Sequence, residues 1–435
     1  GTITNTAMYA AWPSWPGKSP PASKDSMLDL RHHVVVTAAY WGFTLTDGAL
    51  RMLVLLHFHT LGYVPLELAF LFLLYEFFGV VTNLLAGWIG SRFGLKLTLY
   101  CGLGLQVGAL YMLSTLDPDW EKALAVAFVV AAQGLSGIAK DLTKMSSKSA
   151  IKLVMPDDEH SALFKWVALL TGSKNALKGA GFFLGTALLA GLGFVHALSA
   201  MAAGLFVVLI AAVALLPANL GKAQAKVKFT QILSKSRAIN LLSAARFFLF
   251  GARDVWFVVG VPLFLYEVIG WSFTEVGAFM AAWVIGYGGI QAWAPRIVRR
   301  SADGRSSETR AAQWWAFILA ALPITIAGLV EANIAPAVTV VVGLALFGIV
   351  FAINSSLHSY LILSFSDSDK VALNVGFYYM ANAGGRLVGC LLSGLSYQLW
   401  GLTGCLMTAS AMVLIAGAIT NILAGDQRHT EVTEV

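Results

Sequence analysis

The chain has 435 residues, of which 58% are hydrophobic and 12% charged, with a mean hydropathy of +0.74. Soluble domains carry about 25% charged residues, so most of this surface cannot face water. The net charge of +6 would suit a nucleic-acid partner in a soluble protein; here the basic residues sit between apolar segments, which excludes that partner. Cys101, Cys390 and Cys405 form no disulfide framework and no metal-type spacing, and read as packing residues.

Residues 1–26 are rich in Pro, Ser and Ala and lack a basic segment followed by an apolar run, so no cleavable signal peptide is predicted. They read as a disordered tail or a cloning remnant, with Met27 a candidate natural start. Apolar stretches long enough to cross a bilayer core of about 30 Å then predict an all-α integral membrane protein. Twelve helices are expected, at 34–59, 66–89, 97–115, 122–143, 162–190, 194–216, 240–266, 274–295, 312–330, 336–360, 371–398 and 402–423. This gives a six-helix unit at 27–216, a linker at 217–239, a second unit at 240–423 and a tail at 424–435. Alternate loops hold nearly all the Lys and Arg, including Arg92, Lys96, Lys148, Lys152, the lysines of the linker and Arg299 to Arg310; the opposite set holds only Lys122. The bias places both termini on the cytoplasmic side.

The two units repeat. Gly62-Tyr63-Val64-Pro65-Leu66-Glu67 matches Gly270-Trp271-Ser272-Phe273-Thr274-Glu275 at an offset of 208, and that offset also carries Lys178 onto Arg386, Gly181 onto Gly389 and Gly193 onto Gly401. Two six-helix units in parallel are the plan of major facilitator transporters, whose substrate site lies near the midplane between the halves. The segment 87–96 resembles the signature of their loop between helices two and three. Gly87, Arg92, Gly94 and Lys96 match it as gating-loop residues, while Ser91 and Leu95 depart from it.

A charge at mid-bilayer costs about 2.5–3.5 kcal/mol on insertion scales and marks function by default. Helix one carries Asp47 and Arg51 at i,i+4; helix five Lys174 and Lys178, with Asn175 beside them; helix seven Arg253 and Asp254; helix eleven Arg386; helix two Glu76; and helix four Lys140 and Lys144 on its cytoplasmic half, with Arg246 at similar depth in helix seven. The cations outnumber the acids, which an anion would relieve; arginine offers a planar fork suited to phosphate-like oxygens and lysine a mobile point charge. Asp47–Arg51 and Arg253–Asp254 can also be ion pairs that order the helices. Asn354 and Tyr379 can contact a ligand or hydrogen-bond between helices. Glu76 has no basic residue near it in sequence, which makes it the better proton carrier beside Asp47 and Asp254. No Walker loop, catalytic constellation or metal-ligand pattern is present, so neither enzyme activity nor a cofactor is expected, and transport draws on a gradient.

The strings Ala39–Leu53 (AYWGFTLTDGALRML), Gly137–Ser146 (GIAKDLTKMS) and Leu169–Gly179 (LLTGSKNALKG) resemble the ArsJ-type organoarsenical exporters, a branch of the major facilitator superfamily, with similarity over about residues 30 to 420. The resemblance implies export of 1-arseno-3-phosphoglycerate, made when glyceraldehyde-3-phosphate dehydrogenase accepts arsenate for phosphate, and hence arsenate resistance. It also implies a monomer in a bacterial inner membrane. The alternatives are a general organophosphate or phosphate exchanger, or a proton-coupled antiporter of another small organic anion. A drug antiporter fits the basic pocket poorly, and a receptor lacks a signalling domain.

Overall fold

A computed structural model describes the backbone of residues 24–154, 160–216, 236–297, 306–366 and 371–433. Side chains are described there except at 24–31, 33, 84, 86–95, 145, 148–154, 160–172, 292, 294–297, 306, 363, 371–373 and 427–433. In hydrocarbon every backbone N–H and C=O must be satisfied within the segment, and the described residues are accordingly helical apart from short turns and links. They form α1 (Lys24–Thr60), α2 (Pro65–Leu71), α3 (Leu73–Ser114), α4 (Lys122–Val154), α5 (His160–Leu215), α6 (Arg237–Val255), α7 (Val261–Leu263), α8 (Phe273–Ile297), α9 (Ser306–Glu331), α10 (Pro336–Ser364) and α11 (Val371–Thr433). Two π-helical turns, Trp256–Gly260 and Phe264–Val268, flank α7 and make 237–268 one rod.

Nine stretches among the described residues are long and apolar enough to cross a membrane. Two of these, Ser173–Leu215 with 43 residues and Asn374–Asp426 with 53, are about twice the length one crossing needs. Each is broken once, at Gly193 (φ 74°) and at Trp400–Gly401 (Gly401 φ 60°). With α1 the crossings total twelve, as the apolar runs predict. The expected breaks near 191–193 and 399–401 are there, but each is a turn of one or two residues.

Other boundaries differ from expectation. Phe72 (φ −96°, ψ 1°) interrupts the second crossing between α2 and α3. The backbone is helical through the expected gating loop, which falls inside α3. Tyr75 and Gln106 nevertheless flank the same stretch of α4: Gly137 sits against the Tyr75 backbone, and Ser136 donates to Gln106 Oε1 at 2.7 Å. A straight helix would hold these residues about 45 Å apart, so the chain doubles back between them. α6 begins inside the expected linker, and α11 runs through the expected tail to Thr433.

The repeat seen as letters recurs as geometry. Gly62 and Gly270 both turn with positive φ (84° and 79°), as do Gly193 and Gly401. Glu67 caps its helix by accepting from Val64 N at 3.0 Å, and Glu275 does the same for Ser272 N at 2.8 Å. A Cβ on Gly181 would strike the Leu45 carbonyl on α1, and a Cβ on Gly389 the Gly251 carbonyl on α6. Each half thus brings its fifth crossing into backbone contact with its first, as small residues permit in membranes. The halves meet through Leu66 N donating to Gln398 Oε1 at 3.2 Å and through His59 and Glu267, 3.1 Å apart.

Gly181→Val should therefore cost about 1–3 kcal/mol through overpacking, while Gly104→Val, with open space around it, should cost little. Thermal unfolding of the two purified variants in one detergent tests this; equal midpoints would contradict it.

Candidate functional site

Three of the buried carboxylates lie at the centre of the crossings, and each is reached by a cation from another element. Glu76 on α3 accepts from Arg51 of α1 and, at 2.7 Å, from Arg386 Nη2 of α11. Arg386 Nε reaches on to Asp254 Oδ2 of α6 at 3.1 Å, and Asp254 Oδ1 accepts from Arg253 Nε at 2.7 Å. The chain Arg51–Glu76–Arg386–Asp254–Arg253 thereby crosses from one half to the other. Beside it, Tyr75 donates to Asp47 Oδ1 at 2.6 Å, and Lys178 Nζ stands 3.9 Å from Asp47 Oδ2. Lys140 Nζ sits over the Tyr75 ring at 3.9 Å, and the Arg51 guanidinium lies between the Phe72 and Tyr75 rings.

Three of the cations are more exposed than the carboxylates, while Arg51, at 5%, is as buried as they are. Asp254, Glu76 and Asp47 are 0%, 1% and 6% exposed, whereas Arg253, Arg386 and Lys178 are 16%, 17% and 19%. The carboxylates and Arg51 are buried, and Arg253, Arg386 and Lys178 are the part-open members of the cluster. A buried ion pair is stable only when its remaining groups are satisfied, and here one carboxylate serves two guanidiniums.

Two of the readings left open by the sequence are not realised. Asp47 and Arg51 do not pair along α1: Arg51 is drawn to Glu76 and Asp47 to Tyr75 and Lys178. Glu76 does not stand clear of basic residues, because α1 and α11 each deliver an arginine to it. Sequence distance hides both contacts, since they join helices 25 and 310 positions apart. Arg253–Asp254 is a contact, as adjacency suggests.

The other expected residues lie around this centre. Lys144 on α4 is 3.7 Å from Asp141, donates to Asn83 Oδ1 at 3.1 Å and stands over the Tyr379 ring of α11. Thr82 donates to Asp141 Oδ2. Lys174 and Asn175 are half-buried on α5, Asn175 against Gly288 of α8. Asn354 is fully buried on α10 with neither amide atom hydrogen-bonded. Lys96 reaches the Leu216 carbonyl at 3.3 Å; the side chains of Gly87, Arg92 and Gly94 lie outside the described residues. Sequence reasoning missed Tyr75, which touches Asp47, Arg51 and Lys140 at once. Its sole linear signal is adjacency to Glu76.

Two parallel six-helix units closing on a charged interior define a multi-pass membrane transporter. The family model described as Major Facilitator Superfamily matches residues 34–389, and the chain belongs to that superfamily. No curated protein sequence matches it. Among solved structures it is similar to a POT family transporter in complex with 5-aminolevulinic acid, at 12% identity and TM-score 0.70, covering 91% of this chain and 96% of that one. It is also similar to a POT family transporter in complex with a thioalcohol-conjugated peptide, at 13% identity and TM-score 0.66, covering 90% and 94%. At such identities the likeness is one of fold.

Removing one partner of a buried pair costs about 3–5 kcal/mol. Glu76→Gln strips Arg51 of its carboxylate and should destabilise the protein by that order. Adding Arg51→Met should recover part of the loss, giving a coupling of about 1–3 kcal/mol. A double-mutant cycle on thermal unfolding measures it; additivity would mean that the pair does not couple.

Proposed function

We propose that this transporter exports a small organoarsenical anion, 1-arseno-3-phosphoglycerate, and so confers arsenate resistance. The observation that carries the reading is the exposure pattern: sealed carboxylates hold a set of part-open arginines and a lysine in place. Such an arrangement presents donors to an oxyanion while its own counter-charges stay out of the way. The resemblance of Ala39–Leu53, Gly137–Ser146 and Leu169–Gly179 to the ArsJ-type exporters supports the choice of cargo and its link to glyceraldehyde-3-phosphate dehydrogenase. In this reading the protein works as a monomer in a bacterial inner membrane, with cytoplasmic termini. Arg51, Lys140, Lys174, Lys178, Arg253 and Arg386 form the cationic wall, and Lys144, Asn175, Asn354 and Tyr379 contribute around it. Asp47, Glu76 and Asp254 serve as ion-pair partners. Each touches a cation, which favours anion exchange or downhill export over proton antiport.

The decisive assay is arsenate accumulation in everted vesicles holding the protein, with and without glyceraldehyde-3-phosphate dehydrogenase, its substrate and NAD. Accumulation only with the enzyme system supports the organoarsenical; accumulation of arsenate or phosphate without it moves the assignment to a general oxyanion carrier. Lys178→Gln and Arg253→Gln should each reduce the enzyme-dependent uptake by about tenfold or more, the worth of a charge-assisted hydrogen bond, with normal membrane insertion. Wild-type uptake in both would remove these residues from the site. A protonophore should leave the initial rate unchanged, and collapse of uptake would point to proton coupling.

A further inference from the structure

Arg246 differs from the other interior arginines. Arg51, Arg253 and Arg386 each hold a carboxylate; Arg246 is 3% exposed and has none within ion-pair distance among the described residues. Its partners are neutral: Nε donates to Asn382 Oδ1, and Nη1 donates to the Ser355 carbonyl and hydroxyl, all at 3.0 Å. The guanidinium is held between the Phe250 ring at 3.8 Å and the Tyr378 ring at 5.0 Å. Nη2 makes no hydrogen bond to the described residues. An isolated buried charge is costly unless something pairs with it, and no carboxylate among the described residues does.

The surroundings are polar and incompletely satisfied. Ser355 lies on α10 between Asn354, whose amide is unpartnered, and His358, whose Nδ1 is unpartnered; both are buried, and His358 lies within electrostatic reach of Arg246. Ser243, one turn before Arg246 on α6, has a buried hydroxyl with no partner. A rigid, uncompensated guanidinium beside unsatisfied donors is the chemistry of an anion subsite.

Its position relative to the central cluster sets what can bind. Arg246 and Arg253 are seven residues apart on α6, hence on one face and about 10 Å apart along the axis. Their guanidiniums share Phe250, lying 3.8 and 5.1 Å from its ring centroid, so they stand no further apart than those two distances end to end. On α11, Asn382 holds Arg246 and Arg386 follows one turn later. We propose that Arg246 is a second anion subsite, which with Arg253 and Arg386 recognises a small molecule bearing an anionic group at each end of a short spacer. This rests on the anion-transport reading and adds the residue that makes the site select two charges.

The test uses purified full-length protein in nanodiscs and two probes measured by calorimetry: 3-phosphoglycerate, with an anionic group at each end, and glycerol 3-phosphate, with one. Wild type should prefer the two-ended probe by about tenfold or more. Arg246→Gln should erase that preference and leave glycerol 3-phosphate binding unchanged. Asn382→Asp keeps the arginine and gives it an internal counter-ion; it should raise the unfolding midpoint without ligand and weaken the two-ended probe alone. If wild type shows no preference, or if Arg246→Gln weakens both probes equally, or if Asn382→Asp leaves the preference intact, the subsite is wrong while anion binding stands. If wild type binds neither probe, the subsite falls together with the anion reading beneath it.

Discussion

Glu76 is shared between the halves. One arginine comes to it from α1 in the first six-helix unit, the other from α11 in the second. A carboxylate in hydrocarbon must be neutralised, and this one is neutralised twice, by groups that alternating access would move relative to each other. The Arg386 link to Asp254 then ties the same arginine back into its own half. The ion chain is therefore a bridge between the halves as well as a charge store: Arg386 contacts Glu76 across the halves and Asp254 within its own. On the anion-transport proposal, an arriving anion that takes hold of Arg386 would compete with Glu76 for it, and occupancy of the centre would favour release of the halves.

Much of the fold is legible in the sequence, because the bilayer leaves few choices. Length and hydropathy count the crossings, and the 208-residue repeat fixes their parallel pairing. It even forecasts backbone detail: Gly62 with Gly270, and Gly193 with Gly401, share positive φ. Boundaries are less legible. The Gly87–Lys96 segment reads as a loop from its glycines and charges; the chain does double back between Tyr75 and Gln106, but the backbone through the segment stays helical.

The site divides along the same line. Which residues carry charge inside the membrane is plain from the letters. Which charge meets which is not, since Asp47 and Arg51 look like an i,i+4 pair and each leaves for another helix. Helical spacing only makes a pair available; Glu76, sealed between α1 and α11, is the stronger claimant for Arg51. Arg246 is obscured for the opposite reason. The letters show it as one more interior arginine, and only the structure shows that its hydrogen-bond partners are neutral.

The turns on the face that carries Gly62 and Gly270 have a mechanical consequence. Gly193 and Trp400–Gly401 join crossings with no slack at all, and the links at 61–64, 269–272 and 332–335 hold four residues each. Such joints transmit torque. A crossing that tilts on one of these joints must carry its neighbour with it; the seven-residue link at 115–121, between α3 and α4, is the looser joint on this face. An epitope or fluorescent protein inserted at Gly193 or Gly401 would uncouple the lever arms, which makes these two turns poor places for a label and good places to lock the machine.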